Sequence, residues 1–295
     1  MQLLKVDVEC APCLLRRGCM EILEATDNKI LQFEAISALM SLLNREFHSN
    51  AVSAVLATER DRIVKAVTGN ADPYARKKQL SNLHALKILP QVKRLIALEN
   101  SSEARFRRAC LCAIVGNIIE FGIPEHEFRF EDIGKMMLKA QQDLAIDDLS
   151  DIFKVAKTAG EILYLTDNAG EIAFDTVLVT ELKKLGAHVT VAVKEKPVIN
   201  DATLLDANTV GMQEIADVVT TGADTVGLIT QKCSKSFLSL YKSADLVIAK
   251  GMGHAETLTE TEVEKPHGLL LRTKCSPVAR QFGTVWGKNV AKLMI

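Results

Sequence analysis

The sequence predicts an α/β protein: a three-layer α/β/α domain on a mainly parallel sheet, with an N-terminal helical domain packed on it. Three observations predict this. After about Asp151, short apolar runs alternate with helical stretches. Before that point strand signals are scarce. The later apolar runs are continuous, as strands covered on both faces are. Strand–helix alternation of this kind implies a parallel sheet with right-handed crossovers.

From about Ala11 to Gln142 the pattern is helical. Leu14, Leu15, Met20, Ile22 and Leu23 open one amphipathic stretch. Phe33, Ile36, Leu39, Met40, Leu42 and Leu43 make a second, with apolar residues at i, i+3 and i+4 spacing. Pro90 to Leu98 reads as a helix with proline at its first position, where the absent N–H is not missed. Phe106 to Ile119 reads as another, with Cys110 and Cys112 as core residues. Residues 143 to 155 form a charge-rich helical boundary, not a flexible spacer. The domains are therefore placed at 1–150 (helical) and 151–295 (α/β). In the second, Ile162–Leu165, Val189–Val193, Val218–Thr220, Leu246–Ala249 and Leu269–Arg272 have strand character. Glu171–Leu185, Lys235–Tyr241 and Pro277–Phe282 are the intervening helices.

Composition narrows the function classes. The 295 residues are 48% hydrophobic and 25% charged, ample material for a core. With 36 basic and 37 acidic residues the net charge is -1, so no global basic field attracts nucleic acid or an anionic membrane. Aromatics at 5% are too few for stacking platforms. No apolar run approaches the roughly 20 residues that span a bilayer, and Met1 to Arg17 lacks the apolar core of a signal peptide. Seven cysteines do not form a secreted disulfide framework. The expectation is a cytoplasmic protein with reduced thiols.

Three polar clusters stand at strand ends. Asp167-Asn168-Ala169-Gly170-Glu171 lies where the first of these strands meets a helix. A helix start offers outward amides and partial positive charge to an anion. A carboxylate and an amide oxygen are hard ligands for Mg²⁺ or Mn²⁺. The same residues are also ordinary turn and N-cap vocabulary. Asp201, in Ile199-Asn200-Asp201-Ala202-Thr203 after the next strand, either completes an oxygen-ligand set with Asp167 and Asn168 or caps the short helix holding Leu204 and Leu205. Lys250-Gly251-Met252-Gly253-His254, a lysine and a glycine turn after a later strand, suits a phosphate oxygen. It is not a Walker A loop.

These clusters resemble the motifs of domain-of-unknown-function family 89, the damage-control phosphatase family, related to the protein once called acidic residue methyltransferase. Glu9-Cys10-Ala11-Pro12-Cys13 resembles the Cys-x-x-Cys start of its archaeal and bacterial branch. Gly116-Asn117-Ile118-Ile119-Glu120-Phe121-Gly122 is similar to its Gly-Asn-x-Ile-Asp-Phe-Gly element, with Glu120 in place of the aspartate, and Lys274-Cys275 matches a C-terminal element. The resemblance spans nearly the whole chain. It implies a metal-dependent phosphatase of small phosphorylated metabolites. It implies a divalent cation (Mn²⁺, Mg²⁺, Co²⁺ or Ni²⁺) on Asp167, Asn168 and Asp201, with Lys250 holding the phosphoryl group. Asp167 and Lys250 are then the catalytic residues. Gly170, Glu171, Asn117, Lys250 and Gly251 are the phosphate-binding set.

Some residues keep two readings. Asn117 either faces the site from the helical domain or ends its helix. Cys10 and Cys13 have zinc-ligand spacing without a second such pair; they are metal ligands, a redox pair or plain thiols. Glu171 is a first-turn acid or reaches the metal through water. Asp175, one turn further, is expected on the solvated surface, and His254 beside the glycine turn is either an acid or base or a plain loop residue. A nucleophilic Asp167 and attack by water are both open. Two other functions compete: a non-catalytic metal- and phosphometabolite-binding module, and a protein carboxyl methyltransferase. Against the methyltransferase, the chain has no glycine-rich loop after its first strand with the expected acidic residue at the next strand end.

Overall fold

The computed structural model describes residues 5–116, 130–258 and 264–295. Its core is a seven-stranded sheet in the order β1-β7-β6-β5-β2-β3-β4. These are β1 (Leu144–Asp147), β2 (Glu161–Leu165), β3 (His188–Val193), β4 (Asp217–Thr220), β5 (Leu246–Lys250), β6 (His267–Arg272) and β7 (Asn289–Met294). Strands β4, β3, β2, β5 and β6 are mutually parallel. β7 runs antiparallel to β6 and parallel to β1. The α/β class and mainly parallel sheet expected from the sequence are present.

Both faces are covered. On one face lie α4 (Ala75–Ala97), α5 (Ser102–Val115), α7 (Leu149–Thr158) and α8 (Glu171–Lys184). Their apolar residues Val92, Phe106, Ile152 and Phe174 join Ile162, Tyr164 and Val191 of the strands in one cluster. On the other face Phe237, Val278 and Phe282 pack with Leu163, Val247 and Leu269. They belong to α10 (Lys235–Ser243) and to α12 (Ser276–Gln281) and its cap. This two-sided cover is why the strands read as unbroken apolar runs. The helices α1 (Cys10–Ala25), α2 (Lys29–Glu46) and α3 (Ser53–Thr68) have two small clusters of their own. α3 ends on Gly69, left-handed at φ 72°. Among the described residues no helix is long and apolar enough to cross a membrane.

Three local expectations change. Pro90 lies inside α4 rather than at a helix start. The 143–155 segment contains β1 before its helix α7, so a strand of the sheet lies on the helical side of residue 150. The described core is likewise continuous from α4 and α5 into the sheet. β7 also escaped the sequence reading, because Asn289-Val290-Ala291-Lys292-Leu293-Met294 mixes polar and apolar residues.

Candidate functional site

The strand order reverses between β2 and β5. From β2 the chain proceeds outward to β3 and β4, then returns to pair β5 on the other side of β2. Crevices at the carboxyl ends of such strands are where α/β sheets bind ligands. The turn after β2 carries Asp167 and Asn168. The turn after β5 carries Gly251, which opens α11 (Gly251–Leu258). The expected Gly-x-Gly turn is thus the first turn of a helix, and His254 is a buried helical residue, not a loop residue.

The second ligand loop folds directly onto the first. Ala169 N–H donates to Asn200 O at 2.9 Å, and Ala202 N–H donates to Asp167 O at 2.8 Å. Asn168 and Asp201 form an isolated antiparallel bridge. The sequence-predicted trio Asp167, Asn168 and Asp201 is therefore brought together. Ile199, just before it, has φ 48°, a strained value for a β-branched residue. Its N–H donates to Asp61 Oδ1 of α3 at 2.9 Å. Thr203 and Asp206 form a capping box at the start of α9 (Leu204–Thr209), so the cap belongs to Thr203 and Asp201 is spared that duty.

Gly251 explains its own identity. Its φ is 81°, and a Cβ there would lie 2.1 Å from Asp167 Oδ2. Only glycine leaves room for that carboxylate.

Negative charge is crowded here. Withdrawal from water, then the carboxylates of Glu171 and Asp201, drive Asp167 well above the usual carboxylate range, against the pull of Lys274 and Lys250. Asp201 is raised to about 6, chiefly by burial, although Lys194 lies 3.5 Å away and opposes the shift. Asn168 Nδ2 donates to Asp167 Oδ2 at 2.8 Å and to Glu171 Oε2 at 3.4 Å. Two carboxylates and an amide oxygen suit a hard divalent cation that keeps further positions for water or phosphate. Such an ion would relieve the crowding. Among the described residues no group of three His, Cys, Asp or Glu side chains is placed to hold a metal ion.

Lys250 is fully buried. Its Nζ donates to Ala113 O at 2.7 Å, to Asp175 Oδ1 at 3.0 Å and to Glu171 Oε1. Burial alone would lower its pKa, but Asp175 and Glu171 hold it above its ordinary value. All three donors are thus engaged, and the ammonium balances the wall behind the site. Asp175 is fully buried, not solvated as expected. It also accepts from Tyr164 Oη at 2.7 Å, and burial raises it to about 6. Of the helix-start amides, Gly170 N–H donates to Asn82 Oδ1 at 2.7 Å and Ile172 N–H to Asn168 O at 3.2 Å. Neither is left for a phosphate. His254 Nδ1 sits 2.7 Å from Lys250 O. A carbonyl only accepts, so the proton is on Nδ1. Burial, then the Lys194 ammonium, lowers this imidazole to about 3. Asn117 and Glu120 lie outside the described residues.

Sequence reasoning missed Asn82, Asp61 and Lys194. A signal existed for the first two. Lys78 and Asn82 continue the buried stripe Ala85, Leu89, Val92, Ile96 of α4, and Asp61 falls on that of α3 between Ala54 and Val64. A polar residue on a buried stripe needs a partner. The cysteines are all free thiols. Cys10 and Cys13 open α1, which Arg280 ties to α12 through Asp7 at 2.9 Å and Glu9 at 3.1 Å.

Comparison with known proteins places the chain in a family. The family model for the damage-control phosphatase ARMT1-like domain matches residues 6–290. The chain is 39% identical over 294 residues to protein MJ0202 of Methanocaldococcus jannaschii, covering 97% of this chain and 94% of that one. It is 35% identical over 295 residues to a damage-control phosphatase of Archaeoglobus fulgidus, covering 99% and 100%. The crystal structure of a domain-of-unknown-function-89 family protein from Pyrococcus horikoshii superposes with a TM-score of 0.85 at 32% identity, covering 97% of this chain and 98% of that one.

Proposed function

The chain belongs to the damage-control phosphatase ARMT1-like family, and from that premise we propose that it is a metal-dependent phosphomonoesterase acting on small phosphorylated metabolites, such as sugar phosphates or damaged metabolite phosphates. The observation that carries this reading is the convergence of Asp167, Asn168 and Asp201 at the switch point, with more carboxylate charge than the neighbouring lysines balance. Mg²⁺, Mn²⁺, Co²⁺ or Ni²⁺ held by those three residues would supply positive charge to the phosphoryl oxygens and acidify water.

The chain's own residues do the rest. Phosphoryl transfer needs positioning and charge neutralisation more than covalent work. Lys250 offsets part of the charge of Glu171 and Asp175, so the wall behind Asp167 repels a phosphate less than two bare carboxylates would. Direct contact with a phosphoryl oxygen would require its Nζ to release one of its three present acceptors. Gly251 gives the Asp167 carboxylate its space. Asp61 and Asn82 hold the two ligand loops from the helical side.

The test is hydrolysis of para-nitrophenyl phosphate and a sugar-phosphate panel by chelated protein, with each divalent metal added back. Metal-dependent turnover is expected, and Asp167→Ala and Asp201→Ala should abolish it while remaining folded. Bound metal without turnover would overturn the enzymatic reading in favour of a binding module. Acid-quenching with labelled substrate separates attack by water from a phosphorylated Asp167.

A further inference from the structure

Asn82 bonds one ligand loop directly and reaches the other through Asp206. It is 2% exposed in α4. Its Oδ1 accepts the N–H of Gly170, two residues after Asn168, at 2.7 Å. Its Nδ2 donates to Asp206 Oδ1 at 2.8 Å. The other oxygen of Asp206 accepts the N–H of Thr203 at 2.9 Å and its hydroxyl at 2.8 Å, two residues after Asp201. The amide orientation is dictated by its partners, since Gly170 N–H only donates and a carboxylate accepts. No other side chain of this length offers one acceptor and one donor at its two tips. Gly170 has φ 79° at the sharp entry to α8, so holding its N–H fixes the turn that carries Asp167 and Asn168.

We propose that Asn82 is a positioning residue that, through Gly170 on one side and Asp206 and Thr203 on the other, sets the separation of Asp167 and Asn168 from Asp201 and thereby the affinity for a divalent cation. This rests on the metal site proposed above. Residues that orient ligands without touching the ion commonly carry about 10- to 100-fold in affinity.

The experiment is Mn²⁺ titration calorimetry on chelated full-length protein: wild type, Asn82→Asp, Asp206→Asn, the double variant and Asp167→Ala. Asn82→Asp keeps the acceptor for Gly170 but sets two buried carboxylates face to face. It should weaken Mn²⁺ binding by about 10- to 100-fold. Adding Asp206→Asn restores a donor–acceptor pair with its polarity exchanged, and the double variant should return most of the lost affinity. A purely structural role would lower the melting temperature of Asn82→Asp and leave the affinity of the folded protein unchanged. That result, or a double variant no better than the sum of its singles, overturns the proposal. If Asp167→Ala abolishes binding and Asn82→Asp does not alter it, only this inference falls. If Asp167→Ala binds Mn²⁺ as wild type does, the metal site itself is wrong and both fall.

Discussion

Replacing Gly251 by alanine separates two costs that glycine positions usually confound. The first is backbone. Gly251 has φ 81°, and a left-handed conformation costs an L-residue about 1–2 kcal/mol. The second is steric. The new Cβ would lie 2.1 Å from Asp167 Oδ2 and 2.2 Å from its Cγ, whereas ordinary contact begins near 3.4 Å. The carboxylate must therefore retreat by more than an ångström. A misplacement of about 1 Å costs roughly 10²-fold in turnover. Gly69 supplies the control, because its φ is 72° and nothing lies within 4 Å of its Cβ position. Gly69→Ala should lower the melting temperature by about 2–4 °C per kcal/mol of backbone cost, with metal affinity and turnover unchanged. Gly251→Ala should show at least that loss and in addition lose Mn²⁺ affinity and turnover. Thermal melts, Mn²⁺ calorimetry and para-nitrophenyl phosphate hydrolysis on both variants decide the matter. A Gly251→Ala protein with wild-type metal affinity and rate would refute the placement of the Asp167 carboxylate in the working site.

Three further outcomes are expected. Lys250→Met leaves Glu171 and Asp175 buried without their counter-charge, and breaking a buried pair this way costs about 3–5 kcal/mol; urea unfolding at neutral pH should record that loss, and a loss equally large near pH 4 would contradict the charge argument. Asp175 should titrate near 6 by carboxyl-carbon resonance in the metal-free protein, since burial raises it from 3.8 to about 6. Its native value is the higher one, so the stability it contributes is complete below about 3.8 and lost as pH rises through about 6; a midpoint below 4 would show that the carboxyl is not buried as described. Chelation should lower the melting temperature and Mn²⁺ at about 100 times its dissociation constant should restore about 2.7 kcal/mol, an effect absent in Asp201→Ala; full restoration in that variant would remove Asp201 from the ligand set.

Much of the α/β half was legible because β2, β3, β5 and β6, buried on both faces, are plain apolar runs. Strands β2 to β6 begin or end within two residues of their sequence assignments. The edge strand β1 and the reversed β7 were not, since Asp147, Asn289 and Lys292 dilute their apolar character. Asp167, Asn168 and Asp201 were readable from their strand-end positions. Their alignment by cross-loop backbone bonds is tertiary information. So is the burial of Asp175: its spacing from Glu171 marks a shared helix face, but not that the face is turned toward Lys250. Pro90 misled because proline at a helix start is common and the longer stripe from Lys78 to Ile96 contains two polar residues.

The reversed strand β7 also constrains the order in which the chain assembles. It sits between β6 and β1, and its Asn289 side chain donates to Ala140 O at 2.9 Å. Its partner β6 precedes it closely in the chain, whereas β1 lies at the far end of the α/β portion, and distant pairings close late because their loop entropy is large. Among the described residues β1 has no other neighbour in the sheet. The edge is therefore expected to complete in sequence, β6 with β7 and then β1. Pulse-labelled amide exchange during refolding should register protection in β7 before β1.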